Sequence, residues 1–187
     1  AMEEFMSKGR VLAGALGAIF MFGSSVAFAE EVTIDIHTIN DKGVGAKIGS
    51  VHAYDSDNGL VLSVQLSSLP VGPHGFHLHD NGSCDAARRD GQMVAGLGAG
   101  GHYDPDGTGK HLGPSGEGHK GDLPVIYVEP DEMALETSFK RVKVVPRLTV
   151  SELHGRALVI HAGGDNYSDQ PNPLGGGGAR IACGLIP

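Results

Sequence analysis

The chain is 187 residues long, carries 22 acidic against 14 basic residues and has a formal net charge of −8. This acidic balance argues against nucleic acid or an anionic membrane as a partner, because both bind basic surfaces. The length suits one globular domain. A phosphate-cradling loop is disfavoured, because the glycines at 175–178 follow no strand-to-helix pattern.

The first 29 residues have the organisation of a short N-terminal extension, residues 1–5, followed by a secretory signal peptide. Lys8 and Arg10 precede an apolar stretch at 11–22, and a small-x-small sequence follows at 27–29. A membrane anchor is the alternative, but the apolar stretch is short for a span and contains glycines. We expect cleavage before Glu30, export to a bacterial periplasm and no stable membrane contact afterwards. The mature domain would cover 30–187.

Alternation of apolar and polar residues predicts a fold made of short strands. Helix signals are nearly absent, and glycine and proline are frequent between the alternating segments. The pattern predicts about eight strands, typical of an all-β sandwich or barrel, with two long irregular loops at 80–122 and 162–179. The predicted strands are 32–39, 50–55, 60–66, 75–79, 124–128, 136–145, 156–161 and 180–186.

Two histidines on one predicted strand are the first sign of a metal site. His77 and His79 are two residues apart, and side chains at i and i+2 of a strand point to the same face. Both rings could therefore hold one ion, although an exposed strand face is the plainer interpretation. His161, at the end of the apolar stretch ALVIH, supplies another imidazole.

A second histidine cluster lies in the first long loop. His102, His111, His119 and Asp122 fall on a stretch rich in glycine, proline and aspartate, and three imidazoles with one carboxylate suit tetrahedral zinc. Any one of them could be a solvated loop residue. A loop of this length without regular structure is, however, usually functional or disordered, and bound metal would order it. Together the clusters offer more imidazoles than one zinc ion uses, so two metals are predicted.

The chain has two cysteines, Cys84 and Cys183. In an exported protein they are expected to form one disulfide, whereas two free buried thiols would suit the cytosol. Closing a loop of about 100 residues contributes roughly 4–5 kcal/mol in the chain-entropy model.

Six motifs, in order along 32–187, give the chain a family resemblance: GFHLHDNGSC, GGHYDPDG, KHLGP, GHKGDLP, LVIHAGGDNYSD and GGGGARIACGLI. They resemble the copper/zinc superoxide dismutases, and the bacterial periplasmic branch in particular. The resemblance implies an eight-stranded Greek-key β-barrel, one copper and one zinc ion per subunit, and disproportionation of superoxide to dioxygen and hydrogen peroxide. It leaves open whether the chain is a monomer or a homodimer.

The resemblance also assigns individual roles. It implies that Asp165 orients ligands from behind both metals, that Arg180 lies beside the copper and docks superoxide, and that Cys84 pairs with Cys183. The bridging residue, His102, would also supply a proton. The implied copper ligands are His77, His79, His102 and His161, and the implied zinc ligands are His102, His111, His119 and Asp122.

Two features are not covered by the resemblance. The segment 170–179 carries no charge, so the charges that steer superoxide in other family members are missing there. Arg88 and Arg89 are the alternative candidates for steering. The competing interpretation is that both are ordinary surface residues. The remaining histidines are interpreted as non-ligands: His37, His52, His74 and His154.

Two other functions remain as alternatives. A copper-storage or copper-delivery protein would need similar copper ligands, but neither a bridging zinc nor an arginine in a channel. A zinc-stabilised structural module would explain 102–122 but not the histidines at 77, 79 and 161.

Overall fold

The computed structural model describes residues 30–130 and 139–187. Eleven strands lie in these ranges, with short 3-10 helices at Leu97–Ala99, Val150–Glu152 and Pro173–Gly176. The strands are β1 (Glu31–Asn40), β2 (Gly43–Ser56), β3 (Gly59–Leu66), β4 (Gly72–His74), β5 (Phe76–His79), β6 (Ala87–Arg89), β7 (Gln92–Val94), β8 (Ile126–Val128), β9 (Phe139–Val145), β10 (Ala157–His161) and β11 (Arg180–Leu185).

Seven strands form one antiparallel sheet in the order β5-β10-β11-β1-β2-β3-β9, and β4 pairs with β8 beside it. Only β1, β2 and β3 follow one another by hairpins, whereas β5, β9, β10 and β11 reach their neighbours through long connections. This is the connectivity of a Greek key. The sheet curls around one apolar core that includes residues from β5 and β9, the two strands at opposite ends of the strand order. The predicted all-β Greek-key barrel is therefore confirmed.

Each of the eight predicted strands overlaps a strand of the structure. The prediction missed β4 and the β6–β7 hairpin, which lies inside the loop expected to be irregular. Two predictions fall outside the described residues: the signal peptide at 1–29 and the start of the strand predicted at 136–145. No helix in the described part of the chain is long and apolar enough to cross a membrane.

The two faces of β5 have different roles. Phe76 and Leu78 are fully buried in the main core, and His77 and His79, which alternate with them, point to the other face. Burying a side chain such as Phe or Leu contributes about 1.5–3 kcal/mol, so the alternation fixes the register of this strand. The two histidines are thereby directed away from the core, under the long loops.

A smaller apolar cluster lies on that other face. It contains Val159 of β10 together with the disulfide between Cys84 and Cys183, whose Cα atoms are 5.8 Å apart. The predicted disulfide is thus confirmed. It ties the start of the first long loop to β11, next to the strands that carry the histidines.

Candidate metal centre

The strand pairing brings three of the predicted ligands together. β5 pairs with β10 so that His77 is opposite Val159, and His161 ends β10 two residues later. Backbone hydrogen bonds join the first long loop to β5: Tyr103 N–H donates to Leu78 O (2.8 Å), and Leu78 N–H donates to Gly121 O (2.9 Å). These bonds place His102 and Asp122 against the strand.

Four histidines form the first cluster: His77, His79, His102 and His161, each with a nitrogen within 4.8 Å of the others. Three of them are oriented by acceptors behind the ring. His79 Nδ1 donates to Gly100 O (3.0 Å), His161 Nδ1 donates to Gly178 O (3.0 Å), and His77 Nε2 donates to a carboxylate oxygen of Asp165 (2.7 Å). These contacts fix the tautomers, so that each opposite nitrogen carries a lone pair directed into the cluster.

The nitrogens that face into the first cluster lack partners. His77 Nδ1, His79 Nε2 and His161 Nε2 are buried and make no hydrogen bond. Burial lowers the pKa of His77 to about 3 and that of His161 to about 4, and it lowers the pKa of His79 well below its usual range. Neutral, unpartnered imidazoles are the form that binds metal, and their burial without a partner would otherwise cost free energy.

The second cluster is built around one carboxylate oxygen. Asp122 Oδ1 lies 2.9 Å from His102 Nδ1, 3.0 Å from His111 Nδ1 and 3.3 Å from His119 Nδ1. Asp122 Oδ2 accepts the backbone N–H groups of Leu112 (3.1 Å) and Gly113 (3.2 Å), which holds the carboxylate in place. All four side chains are buried, and this N₃O donor set fits a tetrahedral zinc ion.

Electrostatics distinguishes the second cluster from the first. Burial opposes the charge on Asp122, but hydrogen bonds from His102 and His111 outweigh it and hold the pKa of Asp122 below its usual range. Burial likewise opposes protonation of His111, yet Asp122 and Asp165 together raise the pKa of His111 to about 9. A metal ion entering this cluster would therefore displace a proton from His111.

His102 belongs to both clusters. Its Nδ1 lies against Asp122, which leaves Nε2 for the first cluster, and its ring stacks on that of His77 with centroids 4.0 Å apart. An imidazole bonded through both nitrogens would join two ions directly.

Asp165 connects the clusters from behind. Its two oxygens accept His77 Nε2–H and His111 Nε2–H, each at 2.7 Å. These nitrogens are the outer ones of two rings already assigned to the clusters, so we interpret the trio as a hydrogen-bonded bridge and not as a third metal site. Gly175 packs against this bridge, where a Cβ atom would come within 1.9 Å of Asp165 Oδ1.

An open cavity of about 540 Å³ leads to the first cluster. His102, His161 and Arg180 are among the residues that line it. Arg180 donates to Gly96 O and to Gly100 O, both at 2.6 Å, so Gly100 O serves Arg180 as well as His79.

The structure separates the two candidate steering residues. Arg89 lines the cavity and, after burial, its charge is the second cause that lowers the pKa of Arg180. Arg88 does not line it, and its guanidinium donates to Gly91 O (3.0 Å) in its own turn. The β6–β7 register explains the difference, because Arg89 and Val94 share the face toward the cavity whereas Arg88 points away.

The four remaining histidines lie outside the metal clusters in the described ranges: His37, His52, His74 and His154. His74 is buried, with its ring nitrogens 2.7 Å from His161 O and 2.8 Å from Pro70 O.

Asp169 makes contacts at the site that the sequence did not suggest. Its carboxylate accepts the N–H groups of His111 (2.9 Å) and Leu174 (3.1 Å). It links the second cluster to the cavity wall.

Comparison with known proteins agrees with this site. The family model "Copper/zinc superoxide dismutase (SODC)" matches residues 47–186. Superoxide dismutase [Cu-Zn] 2 of Salmonella typhimurium is 46% identical over 91% of this chain and 96% of its own, and superoxide dismutase [Cu-Zn] of Escherichia coli K12 is 48% identical over 86% and 90%.

Solved structures give the same result. The Cu/Zn superoxide dismutase from Brucella abortus superposes with a TM-score of 0.79 at 43% identity, covering 84% of this chain and all of that one. The monomeric copper, zinc enzyme from Salmonella enterica superposes with a TM-score of 0.73 at 47% identity, with the same coverages. The chain belongs to the copper/zinc superoxide dismutase family.

Proposed function

We propose that this protein is a superoxide dismutase in which the first cluster holds copper and the second holds zinc. The proposal rests mainly on the position of His102, whose two ring nitrogens face different clusters. A copper-delivery protein has no use for such a bridge. A zinc-stabilised structural module does not require the buried, unpartnered nitrogens of His77, His79 and His161.

The proposed roles of the residues follow from their positions. Copper, when bound, supplies one-electron chemistry between Cu(II) and Cu(I), by which one superoxide is oxidised to dioxygen and a second is reduced to hydrogen peroxide. His102 Nε2 would take up a proton when it does not coordinate copper and would deliver it as one of the two protons that the reduction consumes, while Nδ1 would stay engaged on the zinc side. Water in the open cavity supplies the other proton. Asp165 keeps the rings of His77 and His111 oriented.

The substrate is an anion, although the chain carries a net charge of −8. Local positive charge in a cleft can focus an anion despite the total charge, an effect for which this enzyme family is itself a standard example. We assign docking to Arg180, which is fixed in the cavity wall by two carbonyl oxygens, and longer-range attraction to Arg89. Arg88 has no place in this assignment.

We also propose that residues 1–29 are removed as a signal peptide and that domain 30–187 works in the periplasm. The basic, apolar and small-x-small order of that segment supports export. The disulfide between Cys84 and Cys183 supports an oxidising compartment. N-terminal sequencing of the exported protein tests this, and a mature chain that does not begin at Glu30 would refute the cleavage site.

Reconstitution with copper and zinc tests the function as a whole. We expect one of each metal per chain, an electron paramagnetic resonance spectrum of Cu(II) in nitrogen ligands, and rapid consumption of superoxide. Copper uptake without superoxide consumption would favour a copper-handling protein. Zinc uptake alone would favour a structural module.

A further inference from the structure

His119 differs from the other ligands of the zinc cluster in how its ring is oriented. His111 is held from behind by Asp165, and His102 has its second nitrogen in the copper cluster. For His119, no acceptor for the second ring nitrogen is found among residues 30–130 and 139–187. Its Nδ1 is also the farthest of the three from Asp122 Oδ1, at 3.3 Å. The orientation of this ligand must therefore come from its backbone.

The backbone before His119 is held by an arginine from outside the loop. Arg147 lies two residues after the end of β9. It donates through its two terminal nitrogens, Nη1 to Gly116 O and Nη2 to Gly118 O, the latter at 3.1 Å. The turn that contains Gly116 and Gly118 is tightly packed, since a Cβ atom on Gly118 would come within 2.3 Å of Lys110 O. A planar fork of donors suits two carbonyls on one turn.

The backbone after His119 is held by the same external segment. Lys120 Nζ lies 2.7 Å from Glu152 Oε1, with both side chains about a quarter exposed. Glu152 is itself fixed, because Oε2 accepts the N–H (3.1 Å) and the hydroxyl (3.2 Å) of Thr149 at the start of the 3-10 helix Val150–Glu152. Glu152 therefore presents a preorganised oxygen to Lys120.

We propose that Arg147 and the Lys120–Glu152 pair are positioning residues that clamp the backbone on both sides of His119 and thereby set the affinity for zinc. The inference rests on the proposed function, which places zinc in this cluster. Neither contact touches the metal: they act by fixing the direction of one ligand that lacks the usual acceptor behind its ring. Loss of such outer contacts typically weakens metal binding about 10–100-fold.

The test is zinc affinity of the full mature protein, measured by competition with a chromophoric chelator. Arg147→Gln is expected to weaken zinc binding about tenfold and to speed zinc dissociation, and Glu152→Gln is expected to do the same by a smaller factor. Arg147→Lys can reach only one of the two carbonyls and is expected to restore part of the affinity. Lys140→Gln, on an exposed position of β9, is the matched control.

Two further measurements separate positioning from general stability. The absorption spectrum of Co(II) in the zinc site should change in Arg147→Gln, and the unfolding midpoint of metal-free protein should shift no more than in the control. Zinc affinity within twofold of the control in both Arg147→Gln and Glu152→Gln would overturn the clamp. A parent protein that takes up no zinc would instead overturn the proposed function, so the two failures are distinguishable.

Discussion

The proposed copper half and the proposed zinc half of the centre are supported by different kinds of structure. Three proposed ligands of the copper half lie on the paired strands β5 and β10: His77, His79 and His161. Two of their rings are oriented by backbone carbonyls. The zinc half stands on a loop without regular structure, and side chains from elsewhere hold it: Asp165, Asp169 and Arg147. The barrel thus preorganises the proposed copper half, whereas the proposed zinc half depends on polar contacts from other segments.

Removing the residue that joins the halves should have the largest effect. His102→Ala is expected to abolish superoxide consumption and to change the Cu(II) spectrum, because both halves lose the one ligand that they share. Metal analysis and electron paramagnetic resonance measure this. His154→Ala, at an exposed histidine, should leave metal content and spectrum unchanged. An unaltered spectrum in His102→Ala would contradict the shared site.

Asp165 tests whether the two halves differ in robustness. Asp165→Asn cannot accept both ring N–H groups as a carboxylate does, and about 10–100-fold weaker metal binding is expected. The loss should be larger for zinc, since His111 has no strand to hold it, whereas His77 retains β5. Separate competition titrations for zinc and copper measure the ratio. Equal losses at both sites would break the comparison.

The disulfide tests the attachment of the first long loop to the barrel. Reduction, or Cys84→Ser with Cys183→Ser, should lower the free energy of unfolding by about 2–5 kcal/mol. Denaturant titration of metal-loaded protein measures the loss. Two reactive thiols in native, air-exposed protein would contradict the bridge in solution.

The smallest effect is expected from the arginines of the β6–β7 hairpin. Arg89→Gln should lower the second-order rate with superoxide at low ionic strength, and the difference should fade as salt shortens the Debye length to about 10 Å at 0.1 M. Arg88→Gln is the matched control, because its side chain points away from the cavity. Arg180→Glu should reduce the rate more than either while copper stays bound. Equal rates for the two hairpin variants would refute the assignment.

The parts of the centre that were predictable from the sequence are those with a simple period or a distinctive residue type. The spacing of His77 and His79 placed both rings on one face of a strand, and the structure has them so. The β6–β7 hairpin was missed because its strands, ARR and QMV, are only three residues long, too short to show a periodic pattern. The sequence Asp90-Gly91 was the available signal: both residues have positive φ, as two-residue hairpin turns require.

Other parts carry no signal in a single sequence. The carbonyls of Gly100 and Gly178 orient the rings of His79 and His161, and a backbone oxygen is the same at every position of the sequence. The hydrogen bonds from Arg147 to a turn some thirty residues earlier depend on tertiary packing, which propensity and periodicity do not encode. Residue identity therefore indicates the candidate ligands more readily than it indicates the groups that orient them.

The double use of Gly100 O bears on how this enzyme can evolve. One oxygen accepts from the ring of His79 and from the guanidinium of Arg180. With the roles that we propose for these two side chains, copper retention and anion capture would be correlated traits. No substitution deletes a backbone carbonyl. A side chain at position 100, where φ is +77°, would meet Asn81 and shift that oxygen for both partners at once. Selection for faster capture through this contact would alter metal retention in the same step, which makes position 100 pleiotropic.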